Sequence, residues 1–558
     1  MSTRWRRALL ITIAGVVLLS GSARWLQGQD ERYDLLVRGG RVIDGTGNPW
    51  FSGDVGIRGN RIAAVGQLDN ASARRVIDAT GLVVSPGFID LHTHSDEPLV
   101  ADGNAESKVR QGVTIDVLGE GSTVAPGDNL ADARWRTFTD YFELLKRQGI
   151  SMNVISHVSS EQVRRVVLGY ETRPATPAEL DRMKQLVARS MEEGAWGLVG
   201  RFESGGPPYP DEVLALAKVA ATYGGNYATH HGSEGYEQDK EIAFAIRVAE
   251  EGKMPVHIFH LKIRGEELWP KLRSNVEQIQ AARDRGLDVT ANLYPYTAMQ
   301  HGWSACFPLW MREGGPTKFA ERLEQAMTDT ALREKVKNDP EFIAWSKEHG
   351  WWEGIVLGTA STPENRKYEG MSVADIAKQR GDEDPADTII TLLAEEGGNV
   401  RGIFHNQSEE NVEMVMRQPW VAPASDGSAL NLDVAGFPHP RSYGTNVRVL
   451  GRYVREKKGL TLEEAVRKMS SLPAQILGLR DRGQIREGFA ADVVVFDPAT
   501  VGDTNSFEKP KSYAKGVLYT IVNGALVIDQ GEHSGARPGR PLLGPGYKGT
   551  KASSAARP

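Results

Sequence analysis

The stretch GFIDLHTHSD, residues 87 to 96, decides the fold, because it ends an apolar run with two closely spaced histidines. Asp90, His92 and His94 are spaced two apart, and residues two apart on a strand face the same side. A buried imidazole needs a polar partner. The stretch therefore predicts a buried strand whose histidines are either satisfied one at a time by the core or share one partner.

The same arrangement recurs at four later places, where a short apolar strand ends in a side chain that can bind metal. The segments are IDVLGEG, GGNYATHH, MPVHIFHLK and WVAPASDG, and their polar ends are Glu120, His230, His260 and Asp426. Active sites of parallel barrels are built at the carboxyl ends of the strands. One shared centre explains these strand ends better than unrelated coincidences do.

The chemistry of these side chains indicates a metal site. Imidazole nitrogens and carboxylate oxygens suit zinc or a similar borderline ion. The predicted ligands are His92, His94, Glu120, His230, His260 and Asp426. This set exceeds what one tetrahedral ion needs, so it has room for two ions with Glu120 as the bridge. The alternative is that Glu120 is an ordinary solvated loop acid.

The bulk properties exclude several other classes of protein. The chain has 558 residues, a formal net charge of −6 and one cysteine, Cys306. This negative net charge does not indicate a nucleic-acid-binding protein. One cysteine allows neither an internal disulfide framework nor a thiolate zinc cluster. The length fits a large barrel with a smaller second unit.

The first 28 residues have the layout of an export signal. A basic start, MSTRWRR, precedes the almost wholly apolar residues 8–19, and small residues follow. This layout predicts a signal peptide over residues 1–28 and a periplasmic protein with no stable membrane insertion after cleavage. The apolar run is shorter than the about 20 residues that a spanning helix needs. An uncleaved N-terminal membrane anchor is the alternative.

The rest of the chain predicts two domains. Alternating strands and glycine turns in residues 32–84 and 480–532 indicate one small β-sandwich domain built from both ends of the chain. Between them, residues 85–479 alternate short apolar strands with capped helices, which indicates an α/β fold, a (β/α)₈ barrel. Residues 303–354 break this rhythm and are predicted to form an insertion. Residues 535–558 are rich in glycine and proline and are predicted to be disordered.

Several motifs resemble those of a known family. SPGFIDLHTHSD is similar to the first-strand motif of the amidohydrolase superfamily. GAWGLVG, DEVLALAKVAATYGGNYATHHGSEG, LYPYTA and HPRSYGTNVRVLGRYVRE resemble its N-acyl-D-amino-acid deacylase branch, the D-aminoacylases. The resemblance spans Tyr33 to Asp529. It implies a metal-bearing barrel with a small β-sandwich, and hydrolysis of the amide C–N bond of a small-molecule N-acyl-D-amino acid.

The resemblance also implies roles for individual residues. In the family, the histidines that match His92, His94, His230 and His260 bind metal, usually zinc. The aspartate that matches Asp426 is the catalytic acid/base.

Three further residues match positions that hold the substrate in the family: Lys262, Tyr294 and Arg441. Arg441 is expected to pair with the substrate carboxylate, with Lys262 as a second positive group. Each residue has an ordinary structural alternative. Lys262 would pair with a neighbouring carboxylate, Tyr294 would pack with its hydroxyl satisfied locally, and Arg441 would form a surface or interface salt bridge.

The chain departs from the family pattern around the predicted pockets. Glu120 stands where the best-known D-aminoacylases place a cysteine ligand, and Asn292 replaces the usual aspartate. Gly232 and Gln300 replace an arginine and a small serine, and residues 201–212, RFESGGPPYPDE, replace a tyrosine-containing substrate loop. The chemistry is therefore expected to be retained, whereas the acyl and side-chain pockets are expected to differ.

Other functions stay open on the sequence alone. The same centre could act on a cyclic amide, as in hydantoinases and dihydroorotases, or on a D-dipeptide or peptidoglycan fragment. The chain could also be a non-catalytic scaffold that kept the barrel. The complete set of four histidines together with Asp426 favours an enzyme.

Overall fold

The computed structural model of the chain describes residues 32–120, 124–128, 130, 134–200 and 209–549. Within these residues, no helix combines the length and the apolar character that crossing a membrane requires. The predicted signal peptide lies outside the described residues, as does most of the predicted substrate loop that begins at residue 201.

Strands from both ends of the chain form one nine-stranded sheet. They are β1 (Tyr33–Val42), β2 (Phe51–Arg58), β3 (Arg61–Gly66), β4 (Ala73–Asp78) and β5 (Val83–Pro86), together with β18 (Val493–Phe496), β19 (Val517–Val522), β20 (Ala525–Asp529) and β21 (Glu532–His533). β5 and β18 pair antiparallel, with Val84 opposite Val495, and this pairing joins the two ends. Aliphatic side chains from both ends pack into a hydrophobic core of their own.

Eight parallel strand positions of the described chain close into a barrel. Their strands are β6 (Phe88–Asp90), β7 (Val113–Leu118), β8 (Asn153–Ser156) with its continuation β9 (Val158–Ser159), β10 (Gly197–Gly200), β11 (Asn226–Thr229), β12 (Val256–Ile258), β13 (Val289–Leu293) and β17 (Val421–Pro423). Neighbours in this order pair in parallel. A bridge between Thr93 and Gly427, just beyond β6 and β17, closes the ring. The predicted fold class was a (β/α)₈ barrel with a small β-sandwich domain formed by both ends of the chain. It is confirmed as a barrel with a β domain from both ends, in which the β strands form one sheet.

Helices connect the barrel strands in sequence. They are α1 (Asp96–Ala101), α2 (Glu106–Val109), α3 (Phe138–Gln148), α4 (Ser160–Leu168), α5 (Pro177–Glu192), α6 (Pro210–Thr222), α7 (Gln238–Gly252), α8 (Leu272–Asp284), α16 (Glu409–Met416), α17 (Arg441–Arg448), α18 (Leu462–Met469) and α19 (Ser471–Ile476). α5 shows why these segments are helical. Thr176 and Glu179 form a capping box at its start, and Met183, Val187 and Met191 bury one face.

The insertion that follows β13 is a separate unit, and it is longer than predicted. Its strands β14 (Ala298–Gly302), β15 (Ile355–Thr359) and β16 (Arg401–His405) form an antiparallel sheet. Its helices are α9 (Leu309–Arg312), α10 (Pro316–Thr328), α11 (Thr330–Lys337), α12 (Pro340–Glu348), α13 (Trp351–Gly354), α14 (Val373–Arg380) and α15 (Pro385–Glu395). The predicted limits, 303–354, are too narrow, since the unit runs from β14 to β16. The sequence did not reveal its second half, because the strands and helices there alternate as they do in the barrel.

The C-terminal tail follows the barrel wall as far as residue 549, which corrects the prediction of disorder from residue 535. The backbone N–H of Gly539 donates to the carbonyl of Ile150 at 2.8 Å, and that of Leu542 donates to the carbonyl of Val154 at 2.8 Å. A Cβ added to Gly539 would lie 2.1 Å from the carbonyl oxygen of Met152. The glycine therefore permits a close backbone approach and is not a sign of disorder. Residues 550–558 lie outside the described residues.

Removal of residues 535–558 is expected to lower the melting temperature by several degrees. The truncation leaves barrel carbonyls such as those of Ile150 and Val154 without their donors, at a cost of roughly 1–3 kcal/mol for each group that stays buried. Differential scanning calorimetry measures the shift. Removal of residues 551–558 alone is the matched control and should leave the melting temperature unchanged. Equal melting temperatures for both truncated proteins would show that the tail contributes no stability.

Candidate metal centre

The predicted ligands all follow directly on the ends of barrel strands, which places them at one face of the barrel. His92 and His94 follow β6, Glu120 follows β7, His230 follows β11, His260 follows β12, and Asp426 follows β17. All of these side chains are buried except that of His94, which is 31% exposed. Their ligand atoms form two overlapping groups in which all atoms lie within 4.8 Å of one another.

The first group consists of His92, His94, Glu120 and Asp426. His94 Nε2 lies 3.0 Å from Asp426 Oδ1 and 3.5 Å from Glu120 Oε2. His92 Nε2 contacts the same Glu120 oxygen directly and lies 3.6 Å from Asp426 Oδ1. Two imidazole nitrogens and two carboxylate oxygens therefore face one small volume.

The second group consists of Glu120, His230 and His260. His230 Nδ1 lies 2.8 Å from Glu120 Oε1 and 2.8 Å from His260 Nε2. Glu120 thus presents Oε2 to the first group and Oε1 to the second. This is the arrangement of a bridging carboxylate. Glu120 is 4% exposed, so it is not a solvated loop acid.

The donor set fits a divalent metal ion. Uncharged imidazoles and ionised carboxylates are the ligand types that zinc and similar ions take. Two ring nitrogens at hydrogen-bond distance, as in His230 and His260, satisfy each other only if one of them carries a proton. A cation between such lone pairs satisfies both. Burial lowers the pKa of His260 to about 4, so its ring is neutral near pH 7 and able to coordinate.

The two carboxylates are ionised despite their burial. Burial acts to raise the pKa of Glu120, but the imidazoles of His92, His230 and His94 outweigh it and hold that pKa well below its usual range. Burial likewise acts to raise the pKa of Asp426, and here the nearby Arg441 guanidinium is the largest opposing influence. The net result is again a pKa well below the usual range. Both groups are therefore available as anionic ligands or proton acceptors at neutral pH.

Two residues of the centre have unusual backbone conformations. His260 has φ +32° and Asp426 has φ +49°, in the left-handed region that residues other than glycine rarely adopt. Neighbouring contacts hold them in place. The Asn292 side chain accepts from the backbone N–H of His260 at 2.6 Å, and the backbone N–H of Asp426 donates to the carbonyl of His92 at 2.8 Å. Such strain is typical of functional sites.

The three predicted substrate residues are each engaged by a protein group. Lys262 contacts Glu234, and the Tyr294 hydroxyl accepts from the Gln407 side chain at 3.0 Å. Lys262 thus pairs with a neighbouring carboxylate, and the Tyr294 hydroxyl is satisfied locally, as the structural alternatives for both residues predict.

Arg441 is neither at the surface nor at an interface of the described chain. It is 3% exposed, and its Nη1 lies 2.7 Å from Asp426 Oδ2. Its guanidinium stacks over the Tyr294 ring at 4.8 Å. Arg441 thus holds the predicted catalytic acid itself, a partner that the sequence did not indicate.

A cavity of about 600 Å³ opens onto the centre. His94, Glu120, His230, His260 and Asp426 form its floor. The insertion contributes polar side chains to its wall, namely Gln300, His301, Ser304, Asn399 and Arg401. Of the three predicted substrate residues, Lys262 alone lines this cavity among the described residues, whereas Tyr294 borders a smaller cavity behind it.

Two groups of polar residues lie behind the ligands, and neither group was assigned a role from the sequence. The first is Glu234, which lies between His260 and Lys262. Its position four residues after His230 was the available signal.

The second group is a buried ion pair below the first and last barrel strands. Lys108 Nζ donates to Asp90 Oδ2 at 2.8 Å and to Ser425 Oγ at 2.6 Å, and the backbone N–H of Ser425 donates to Asp90 Oδ1 at 2.8 Å. This network supports the turn that carries Asp426. The two-residue spacing of Asp90 from His92 was the only signal in the sequence.

Comparison with protein families identifies the family of the chain. The model of the amidohydrolase family matches residues 75–328 and 392–528. The chain belongs to this family. The segment between the two matched ranges, residues 329–391, lies within the insertion.

Individual relatives cover most of the chain. The chain is 33% identical to a D-aminoacylase of Alcaligenes xylosoxydans xylosoxydans, over 92% of this chain and 99% of the relative. It is 33% identical to an N-acyl-D-glutamate deacylase of the same organism, over 92% of this chain and 97% of the relative. A solved N-acyl-D-glutamate deacylase of Bordetella bronchiseptica, in complex with zinc and a phosphonate inhibitor, superposes with a TM-score of 0.77 at 28% identity, over 92% of this chain and 100% of that chain.

Replacement of Glu120 by alanine is expected to weaken zinc binding by at least tenfold, because the substitution removes the one carboxylate that both ligand groups share. Competition with a chromogenic chelator measures the affinity. Glu97, an exposed acid that also lines the cavity but belongs to neither group, is the matched control, and Glu97→Ala should bind zinc like the unmodified protein. Unchanged affinity in Glu120→Ala would remove the bridging assignment.

Proposed function

We propose that the chain is a zinc-dependent N-acyl-D-amino-acid deacylase. It would convert an N-acyl-D-amino acid and water into a carboxylate and a D-amino acid. The observation that carries this proposal is the position of Asp426, which meets the ligand group through Oδ1 and Arg441 through Oδ2. The two relatives named above support this substrate class, since each covers 92% of the chain.

The metal would be held by the two ligand groups. When bound, such an ion lowers the pKa of a water molecule and polarises the carbonyl oxygen of the amide. Asp426 accepts a proton from the attacking water. It then donates that proton to the amide nitrogen as the C–N bond breaks, so the side chain ends the cycle ionised, as it began.

Arg441 prepares Asp426 for this role. Its contact with Oδ2, at 2.7 Å, keeps the carboxylate ionised and fixes the plane of the carboxyl group. The other oxygen, Oδ1, is left facing His94 at 3.0 Å. The proton-accepting atom is thereby held at the floor of the cavity and beside the ligand group.

Substrate recognition is proposed to involve Lys262, Tyr294 and Arg441. Lys262 lines the cavity, and an ammonium group has three N–H donors, so its contact with Glu234 leaves donors for a substrate carboxylate. Arg441 lies behind Asp426 and adds positive charge to the same side of the cavity. Tyr294 lies under both cations, with Lys262 Nζ 5.5 Å from the ring centre.

One substrate panel distinguishes N-acyl-D-amino acids from two related substrate classes, cyclic ureides and D-dipeptides. A panel of N-acetyl-D-amino acids, N-acetyl-L-amino acids, cyclic ureides and D-dipeptides, incubated with purified zinc-loaded protein, separates them. Turnover of the linear N-acyl-D-amino acids is the expected result. Turnover confined to cyclic ureides or D-dipeptides would assign one of those classes instead. Less than one equivalent of bound metal, with no turnover, would indicate a scaffold.

Replacement of Asp426 by asparagine is expected to lower kcat for the best N-acyl-D-amino acid by roughly 10²–10⁴-fold, because asparagine cannot accept and return the proton. Zinc content is measured alongside, since Asp426 also belongs to a ligand group. Asp433→Asn is the matched control, because Asp433 is exposed and lies on the same segment after β17. A kcat for Asp426→Asn within threefold of the control would remove Asp426 from the reaction.

We propose further that the protein is exported to the periplasm, with residues 1–28 removed as a signal peptide. The basic start and short apolar run support this proposal. N-terminal sequencing of protein from the periplasmic fraction is expected to begin near residue 29. Recovery of a full-length chain in the membrane fraction would instead indicate an N-terminal anchor.

A further inference from the structure

We propose that Glu234 is a positioning residue of the metal centre. It keeps the proton of His260 on Nδ1, which leaves Nε2 free to bind metal, and it prevents Lys262 from donating to that ring. The inference rests on the proposed metal-dependent function, and it concerns how the chain prepares one ligand for the ion.

The three side chains form a closed triangle behind the ligand group. Glu234 Oε1 lies 3.0 Å from His260 Nδ1 and contacts Lys262 Nζ directly. Lys262 Nζ also lies 2.9 Å from His260 Nδ1. Glu234 is 1% exposed, His260 3% and Lys262 6%, so all three side chains are buried. Both Glu234 and Lys262 therefore compete for the same ring nitrogen.

The two outcomes of this competition have opposite effects on metal binding. A neutral imidazole has one nitrogen that donates and one that accepts. If Lys262 donated to Nδ1, the ring proton would reside on Nε2, and this nitrogen could not coordinate. If Nδ1 donates to Glu234, Nε2 carries the lone pair. Nε2 is the atom that faces the centre, 2.8 Å from His230 Nδ1 and 4.0 Å from Asp426 Oδ2.

An ionised carboxylate decides between the two outcomes because it only accepts hydrogen bonds. Both His260 Nδ1–H and the Lys262 ammonium can donate to Glu234 at the same time. The lysine charge is then directed at the carboxylate and not at the ring. The histidine is held in the metal-binding tautomer, as in the carboxylate–histidine–metal arrangements of other metal sites.

Hydrogen bonds that do not involve the ligands hold the loops that carry Glu234 and Lys262. The backbone N–H of Arg264 donates to the Glu234 carbonyl at 2.8 Å, and this bond ties the loop after β11 to the loop after β12. The Gln238 side chain, at the start of α7, donates to the Lys262 carbonyl. Glu234 belongs to neither ligand group, which agrees with a role through His260 and not as a ligand.

The test is a double-mutant comparison of zinc affinity by chelator competition on the full chain. Glu234→Gln removes the acceptor-only group with little change in shape and is expected to weaken zinc binding by about 10–100-fold. Lys262→Met alone is expected to keep the affinity within threefold, since Nδ1 can still donate to Glu234. The double variant, Glu234→Gln with Lys262→Met, is expected to recover most of the loss, because no competing donor remains. Glu234→Asp, which keeps a carboxylate, is expected to bind more tightly than Glu234→Gln.

A matched control is Glu212→Gln, since Glu212 is also a buried acid paired with a cation, Arg164, but lies on the outer helix α6. It should bind zinc like the unmodified protein. Unchanged affinity in Glu234→Gln would overturn the proposal. A double variant that binds no better than Glu234→Gln would also overturn it, because a purely structural defect would not be relieved by the second change. If Glu234→Gln does not fold, a loss of more than tenfold in Lys262→Met overturns the proposal, and an affinity within threefold supports it.

The outcome separates this inference from the proposed function. If Glu234→Gln loses zinc affinity but no N-acyl-D-amino acid is hydrolysed, the positioning role stands and the substrate assignment falls. If such substrates are hydrolysed but Glu234→Gln binds zinc normally, the deacylase proposal stands and the positioning role falls.

Discussion

The rest of the site depends on the backbone pairing that closes the barrel between its first and last strands. Beyond β6 and β17, the backbone N–H of Asp426 donates to the carbonyl of His92 at 2.8 Å, and that of His94 donates to the carbonyl of Gly427 at 2.9 Å. These two bonds bring residues more than 300 positions apart in the chain into one ligand group. Asp426 adopts a strained left-handed backbone conformation, and in this conformation its carboxylate faces the ligand group.

The buried carboxylates at the centre favour the binding of a cation. Among the described residues at the centre, the carboxylates of Glu120, Asp426 and Glu234 are buried, and the cations that meet them are Arg441 and Lys262. Arg441 meets Asp426 and Lys262 meets Glu234, so both cations have a carboxylate partner. Glu120 meets the imidazoles of His92 and His230. Because Glu120 and these histidines belong to the two ligand groups, a divalent ion bound there would place positive charge directly beside this buried carboxylate.

The sequence predicted the candidate metal ligands better than it predicted the partners of Lys262 and Arg441. Strand ends can be located from apolar runs, and the barrel places them together, so His92, His94, Glu120, His230, His260 and Asp426 were found without coordinates. The partners of Lys262 and Arg441 were not found, because Glu234 and Asp426 meet them through loop geometry that no periodicity encodes. The tail was misjudged for a related reason. Gly539 serves a close backbone approach, whereas composition alone associates glycine with disorder.

Anomalous diffraction from crystals grown with zinc tests the central claim most directly. Data collected at the zinc absorption edge are expected to show density between the two ligand groups, at about 2.0–2.3 Å from the ligand nitrogens and oxygens. One peak would lie beside Glu120 Oε2 and Asp426, or two peaks would flank Glu120. The result that would contradict a shared metal centre is an absence of zinc density at this position. Such an absence is decisive if zinc is bound elsewhere in the same crystals, or if the histidines still contact one another and Glu120 directly.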